Sequence, residues 1–351
     1  MKNKRVLIAG GGLAGITIAY QLHERNIPFL LIDQGVNHSS SIAAGIINPI
    51  VFRRMLKSWR VDDFLPYAID FYNKIGAYSN DVFFHFLPMR RGFAHEQEAE
   101  LWESRQFLDE YNSYLTQISE NDILNTSVIN NYGTGKVMQS GFVDTNLFLE
   151  KSYLFLIKNE LYLKTKYNYN EFDIQNCVFR GEAFEKIIFC EGYHGIDNPW
   201  FNYLPLQTTK GQTITIESNT LPSNEILNRK CFILPIKDTE HFKVGSTYEW
   251  DTTDLSITEE GLNSLKQNID QLIDNQNKYS IIHQEAGIRP TVKDRRPLIG
   301  EHPTFKKCYI FNGLGTKGYL MAPLLSEELY KFMYEDISLD KEIDIKRIKL
   351  T

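Results

Sequence analysis

Cysteine is scarce and scattered: the four residues Cys177, Cys190, Cys231 and Cys308 form no CxxC pair and keep no ligand spacing to a histidine. Neither a disulfide framework nor a zinc site is expected from that pattern, and no metal site is assigned. Cys190, which closes the apolar run KIIFC, reads as a small buried hydrophobe. Long apolar runs are missing too; none approaches the ~20 residues needed to span a bilayer. The opening MKNKRVLIAGGG has an apolar stretch too short for a signal peptide, so the expectation is a cytoplasmic protein. There is no basic excess: 38 Lys and Arg stand against 44 Asp and Glu, a net charge of −6. That argues against broad, unaided binding to nucleic acid or anionic membranes, though not against a local basic patch. Internal repeats and low-complexity linkers are also absent.

What is present is an ordinary globular composition, 42% hydrophobic and 23% charged, in 351 residues. That length suits two domains. The 22 Phe and 19 Tyr are spread along the chain and read mainly as core. Residues 95–117, HEQEAELWESRQFLDEYNSYLTQ, predict one charged amphipathic helix with a solvated face.

The most informative stretch is RVLIAGGGLAGITIAYQLHERNIPFLLID. VLIA has the form of a short buried strand. LAGITIAYQLHER has helical spacing, with Leu13, Ile16, Ala19, Tyr20 and His23 near one face. Between them Gly10, Gly12 and Gly15 make GxGxxG: a tight turn, a close backbone approach to pyrophosphate, and close helix–strand packing. The helix start offers unpaired N–H groups and a positive dipole end to phosphate. PFLLID then ends in Asp33, 18 positions after Gly15, where a carboxylate can accept hydrogen bonds from a ribose. The alternative is a glycine turn and a strand-terminal Asp in a nucleotide-free fold. An acid here favours NAD or FAD over NADP.

Residues 38–50, HSSSIAAGIINPI, do not continue as a further strand–helix unit. Their small residues would let a flat ring or phosphate lie against backbone, with Ser39 to Ser41 donating hydrogen bonds; a Ser-rich surface loop is the alternative. Near the other end, KKCYIFNGLGTKGYLMAPLLSEELYKFMYED reads as strand, glycine turn and a helix from about Tyr319 to Tyr334. Gly313, Gly315 and Gly318 make a second cradle, so a long cofactor held at both ends, a flavin dinucleotide, fits better than a nicotinamide. Lys317 is either a solvent-exposed turn lysine or a cation that stabilises charge on the reduced flavin.

With these motifs in order along the whole chain, the sequence resembles the D-amino-acid-oxidase-type FAD-dependent oxidoreductases, the group of glycine oxidase and sarcosine oxidase. VLIAGGGLAGITIAYQL with LLIDQ, SIAAGIINPI, SGFVDTNLFLEKSY, IIFCEGYHG, LQTTKGQTITI, GIRPTVKDRRPLIG and GLGTKGYLMAP carry the likeness. GLGTKGYLMAPLLSEEL and KVGSTYEWDTTD also look like the FAD-dependent module of the bifunctional tRNA wobble-uridine modifying enzymes. The methyltransferase half of those enzymes has no counterpart in these residues.

The resemblance implies an α/β fold, a Rossmann-like FAD-binding domain (1–80, 143–200, 284–351) interleaved with a mostly antiparallel α+β substrate domain (81–142, 201–283). It implies FAD held by Gly10, Gly12, Leu13, Ala14, Gly15, Asp33 and Gln34, then by Ser39, Ser40, Ala44, Gly45 and Ile46. At the flavin end it implies Gly192, Gly313, Gly315, Thr316, Lys317, Gly318 and Tyr319. Several positions depart from the pattern. The usual Ala-x-Gly strand end reads Cys190-Glu191-Gly192. No cysteine lies near GIRP or GLGTKG, so FAD is expected to be non-covalent. Leu320 stands where sarcosine oxidase has its flavin-facing lysine.

In this group the Arg of G-[LIV]-R-P grips a substrate carboxylate, which maps onto Arg289; a salt bridge to a protein carboxylate, such as one in VKDRR, is the rival reading. Arg289 and Lys317 are the catalytic candidates. Ile46, Phe232 and Tyr248 join Arg289 as pocket candidates, with Phe232 where glycine oxidase has a tyrosine. Arg295 and Arg296 read as surface residues, and no general base is assigned. The implied activity is oxidation of the C–N bond of a small carboxylate-bearing amine or amino acid, with oxygen or an electron carrier as acceptor. The alternatives are a tRNA-modifying oxidoreductase and a non-catalytic flavin-binding protein. Oligomeric state is open.

Overall fold

The computed structural model describes residues 4–36, 39–116, 128–236, 240–274 and 278–349. Its first sheet has six strands, in the order Tyr162–Lys164, Phe29–Asp33, Val6–Ala9, Lys186–Phe189, Cys308–Asn312 and Leu298–Glu301. All pair in parallel except the last. The inner strands are apolar along their length because both faces are covered. Val6 and Ile8 join a core made with the helices, while Leu7 and Ala9 join one with Phe172, Phe179, Phe189 and Phe201. Helix Leu13–Glu24 is buried at every residue from Leu13 to Leu22, not on one face as its spacing suggests. The reason is that it is covered by the sheet and by helix Gly318–Tyr334, against which helix Val61–Gly76 also packs.

The second sheet has eight strands and is antiparallel apart from the pairing of Ile226–Asn228 with Met89–Gly92. Its long strands Leu206–Glu217 and Ser280–Val292 lie side by side, with Thr209 opposite Arg289, Gly211 opposite Gly287 and Thr213 opposite Glu285. At the other edge of Leu206–Glu217, Thr209 faces Trp250 and Thr213 faces Gly245. Strands Met89–Gly92 and Thr134–Val137 of this sheet fall in sequence between strands of the first. The two sheets are therefore interleaved along the chain, as the family likeness implies: an α/β Rossmann-like unit with a mostly antiparallel partner.

The single helix expected over 95–117 is shorter. It runs Glu96–Arg105 and gives way to turns; residue 117, like His38, lies outside the described residues. Trp102 is fully buried, and its indole N–H donates to the Thr116 carbonyl at 3.1 Å. Tyr111, Tyr114 and Leu115 are buried beside it. Burying those rings folds the chain back where a solvated helix would have continued. Among the described residues, no helix is long and apolar enough to cross a membrane.

Candidate active site

The carboxyl ends of the parallel strands open into a cavity of about 1260 Å³. Such crevices are where open α/β sheets bind ligands, and this one exceeds the roughly 300–1,000 Å³ of a pocket for one small ligand. Gly10, Asp33, Thr165, Cys190 and Gly313 line it, each at or just beyond the end of a different strand of the first sheet. The opposite wall is one face of the second sheet. Thr209, Gly211, Thr213, Gly245, Tyr248, Trp250, Gly287 and Arg289 line it, following the period of two that puts alternate residues on one face.

Two of the three glycines in the first cradle meet backbone directly. Gly10 has φ +111°, and a Cβ there would lie 2.4 Å from the Cys190 carbonyl. A Cβ on Gly15 would lie 1.9 Å from the Gly10 carbonyl, so helix and turn touch there. Gly15 is a packing residue and does not line the cavity, whereas Gly12, Leu13 and Ala14 do. The helix has no N-cap side-chain hydrogen bond and no acid in its first turn. Its positive end is thus not neutralised by a carboxylate of its own, which suits a pyrophosphate.

Asp33 is buried at the cavity wall next to Gln34. Its Oδ2 accepts from the Gly11 N–H at 2.8 Å and its other oxygen accepts from the Gly35 N–H. Tyr153 donates to the Gly11 carbonyl at 2.8 Å. Desolvation, reinforced by the Asp33 charge, pushes the Tyr153 phenol well above its ordinary range. The carboxylate is thus fixed before any ribose arrives. Asp33→Ala is expected to weaken FAD binding by ~1–3 kcal/mol, checked by FAD occupancy on dilution; unchanged occupancy would remove Asp33 from the site.

The small-residue segment is held from three sides. Ser40 Oγ accepts from the Leu13 N–H at 3.0 Å, Tyr319 donates to the Ser40 carbonyl at 2.8 Å, and Ser39 donates to the Ile288 carbonyl. These hydroxyls serve the fold first, not a free loop. A Cβ on Gly45 would lie 2.0 Å from the Val143 carbonyl, so that glycine too meets backbone. Ala44, Gly45 and Ile46 nonetheless line the cavity, together with Gly192, Gly313, Gly315, Thr316, Lys317, Gly318 and Tyr319. Lys317 is not a solvent-exposed turn lysine: its Nζ donates to the Asn48 carbonyl at 2.9 Å and to Ser58 Oγ. Burial lowers its pKa to about 8.

Cys190 and Cys231 also border the cavity, both buried. Desolvation raises both thiols, Cys231 to about 12, so neither offers the thiolate that reacts. FAD should therefore leave the polypeptide on acid or heat denaturation, read by flavin absorbance after filtration; flavin retained on the denatured chain would contradict this.

Arg289 stands on strand Ser280–Val292, which among the described residues pairs only with Leu206–Glu217, and lines the cavity. Its Nη2 donates to Ser246 Oγ at 2.7 Å, and its guanidinium carbon lies 4.8 Å from the Tyr248 ring centroid. A Cβ on Gly211 would lie 2.1 Å from Nη2, so the guanidinium rests directly on that strand. Nη1 is buried with no hydrogen-bond partner. Among the described residues no carboxylate lies within ion-pair distance. The rival reading fails at its named source: Asp294 pairs with Arg347 and caps the Arg296 N–H instead. Burial lowers the Arg289 pKa, although guanidinium stays charged.

Ile46, Phe232 and Tyr248 all reach the same cavity. Arg295, expected at the surface, is exposed at the border of the cavity; Arg296, also expected there, is half-buried, packs over the Trp59 ring at 4.5 Å and pairs with Glu342. Gly211, Ser246 and Trp250 were not singled out by sequence reasoning, and Glu191 was noted only as a departure from the Ala-x-Gly strand end, with no role. Glu191 Oε1 accepts from Tyr167 at 2.6 Å and Tyr169 at 2.9 Å, and Oε2 accepts from Asn198 at 2.7 Å. Burial raises its pKa. The available signals were a charged residue closing the apolar strand KIIFC and the alternation in LQTTKGQT.

A Rossmann-like sheet whose strand ends open onto a cavity floored by an antiparallel sheet, with glycine cradles at two places, defines a two-sheet flavin-dinucleotide protein. The chain belongs to the DAO family, FAD dependent oxidoreductase, whose model matches residues 5–331. It is 23% identical to glycine oxidase of Bacillus subtilis (strain 168), over 98% of this chain and 95% of that protein. It is 24% identical to the tRNA 5-methylaminomethyl-2-thiouridine biosynthesis bifunctional protein MnmC of Campylobacter jejuni subsp. doylei, over 86% of this chain but 46% of that protein. In fold it is similar to glycine oxidase from Geobacillus kaustophilus, at TM-score 0.81 and 18% identity over 100% of this chain and 99% of that one. Iminodiacetate oxidase from Chelativorans sp. BNC1 gives the same TM-score, 0.81, at 18% identity over 98% of each chain.

Proposed function

We propose that this FAD-dependent oxidoreductase oxidises the C–N bond of a small amine or amino acid that carries a carboxylate, with Arg289 as its anchor. The observation that carries the reading is the buried Nη1 of Arg289, which has no partner of its own and no neighbouring carboxylate. A buried, unpaired N–H of a charged group is costly, and a bound carboxylate removes that cost. Ser246 holds the other arm of the fork, while Gly211 below and Tyr248 above keep its plane fixed. A fixed fork sets the substrate's orientation as well as its affinity.

The cradle residues fit FAD, and when bound it supplies the two-electron acceptor for hydride from the carbon beside nitrogen. Gly10 to Ala14 and Asp33 take the adenosine end in this reading, and Ile46, Gly313 to Tyr319 and the half-buried Lys317 border the ring. Oxygen or an electron carrier is the final acceptor. Anaerobic addition of glycine, sarcosine and D-amino acids to the purified holoprotein tests the reading: at least one should bleach the flavin band, and none doing so would refute it.

A second reading, oxidation of a modified tRNA, draws on the likeness to MnmC and on exposed Lys230, Lys293 and Arg295 bordering the cavity. The net charge of −6 does not favour it.

A further inference from the structure

The reaction leaves one carboxylate of the cavity wall without a role: Glu191, two residues past strand Lys186–Phe189. Its three donors are neutral, and two of them come from the far edge of the sheet. Tyr167 and Tyr169 follow the outer strand Tyr162–Lys164. Between that strand and Lys186–Phe189 lie the strand that ends at Asp33 and the one that leads into Gly10. Residues 165–169 therefore cross the ends of two strands to reach Glu191. The crossing starts at Asp33, whose carbonyl accepts from the Thr165 N–H at 2.8 Å. Thr165, Lys166, Tyr167 and Tyr169 all line the cavity. Asn198 completes the shell around Glu191. Its Oδ1 accepts from the N–H groups of Trp200 and Phe201 at 3.0 and 3.2 Å, which leaves Nδ2 to donate to Glu191 at 2.7 Å. Glu191 thus ties the crossing segment to the turn that follows its own strand.

We propose that Glu191 is a positioning residue for the cofactor: it latches residues 165–169 as a strap beside the adenosine end of FAD, and so sets how long the dinucleotide stays bound. This rests on the reading that Gly10 to Ala14 and Asp33 take that end. No part of the strap comes from the second sheet or from residues 313–319, so the latch serves the adenosine half and not the flavin ring. Removing the carboxylate leaves two phenol O–H groups and the Asn198 amide without their acceptor, which favours an open strap. Glutamine would keep an acceptor for the tyrosines but meet Asn198 with a second N–H donor. Asn198 cannot turn its amide to answer, because Oδ1 is already taken.

The test reads cofactor binding, not turnover. Holoprotein is diluted and FAD release is followed by flavin fluorescence. Protein dialysed free of flavin is then titrated with FAD, with ADP, which keeps the adenosine end, and with FMN, which lacks it. Glu191→Ala should release FAD about tenfold faster or more and weaken FAD and ADP together, with FMN binding unchanged. Glu191→Gln should fall between. Tyr167→Phe and Tyr169→Phe keep the rings packed on Phe172 and Trp200 and remove only the hydroxyls. Each should show a smaller loss in the same direction, and they decide the matter if Glu191→Ala does not fold. Unchanged FAD release and ADP affinity, or FMN weakened as much as FAD, overturns this inference; Asp33→Ala with weakened FAD then leaves the adenosine site standing. Unchanged FAD affinity in Asp33→Ala as well removes the adenosine end from this wall, and the latch with it.

Discussion

Arg289→Met should purify with FAD bound and reduce that FAD far more slowly with any carboxylate-bearing amine. The expected loss in kcat/KM corresponds to roughly 2–5 kcal/mol, as for removing one partner of a buried, hydrogen-bonded charge pair. Arg289→Lys should fall between, because an ammonium keeps the charge and loses the planar fork that Ser246, Gly211 and Tyr248 hold in place. FAD should stay because Arg289 stands on the second sheet, away from the cradle at Gly10 and Gly15. Removing a buried guanidinium with an unpaired arm should cost the fold little. FAD content, melting temperature and reduction rate measured on the same samples decide it. Loss of folding and FAD together, with normal kinetics in whatever survives, would make Arg289 structural.

Gly15→Ala should do the opposite. Its new methyl would lie 1.9 Å from the Gly10 carbonyl, and a backbone atom cannot swing aside as a side chain can. Either the helix Leu13–Glu24 retreats or the turn opens, and both spoil the approach of the helix start to pyrophosphate. Overpacking of this kind costs ~1–3 kcal/mol or more in stability. The variant should therefore lose FAD and melt at lower temperature, while Asp33→Ala should lose affinity with a smaller change in melting temperature. A Gly15→Ala protein with full FAD and an unchanged melting temperature would contradict the packing account.

The parts of the site that were legible in the sequence are the local ones. GGGLAG lies between its strand and its helix, and Asp33 ends the next strand, because one βαβ unit contains the whole argument. Arg289 was legible as a charge among small residues and Pro290, but its partner was not. VKDRR suggested a neighbouring carboxylate, yet Asp294 turns to Arg347 and the guanidinium lies on Gly211 instead. That contact depends on strand register, with Gly211 opposite Gly287 and Thr209 opposite Arg289, and register is set by long-range pairing. The same holds for Trp250, whose place beside the anchor comes only from its pairing with Thr209. Glu191 was hidden because its polar shell, Tyr167, Tyr169 and Asn198, comes from two separate segments. The helix expected over 95–117 failed for a tertiary reason: charge pattern argued for one solvated helix, but Trp102, Tyr111 and Tyr114 were drawn into a core.

The central claim is that a carboxylate held by Arg289 presents an amine for oxidation. It is tested most directly by anaerobic flavin bleaching with sarcosine, N-benzylglycine and D-alanine, each against its own methyl ester. The ester keeps the amine and the carbon that is oxidised, and removes only the charge that the fork would hold. At least one acid should bleach the flavin, and its ester should do so far more slowly, a difference that disappears in Arg289→Met. Esters bleaching as fast as their acids, or no acid bleaching at all, would contradict the account.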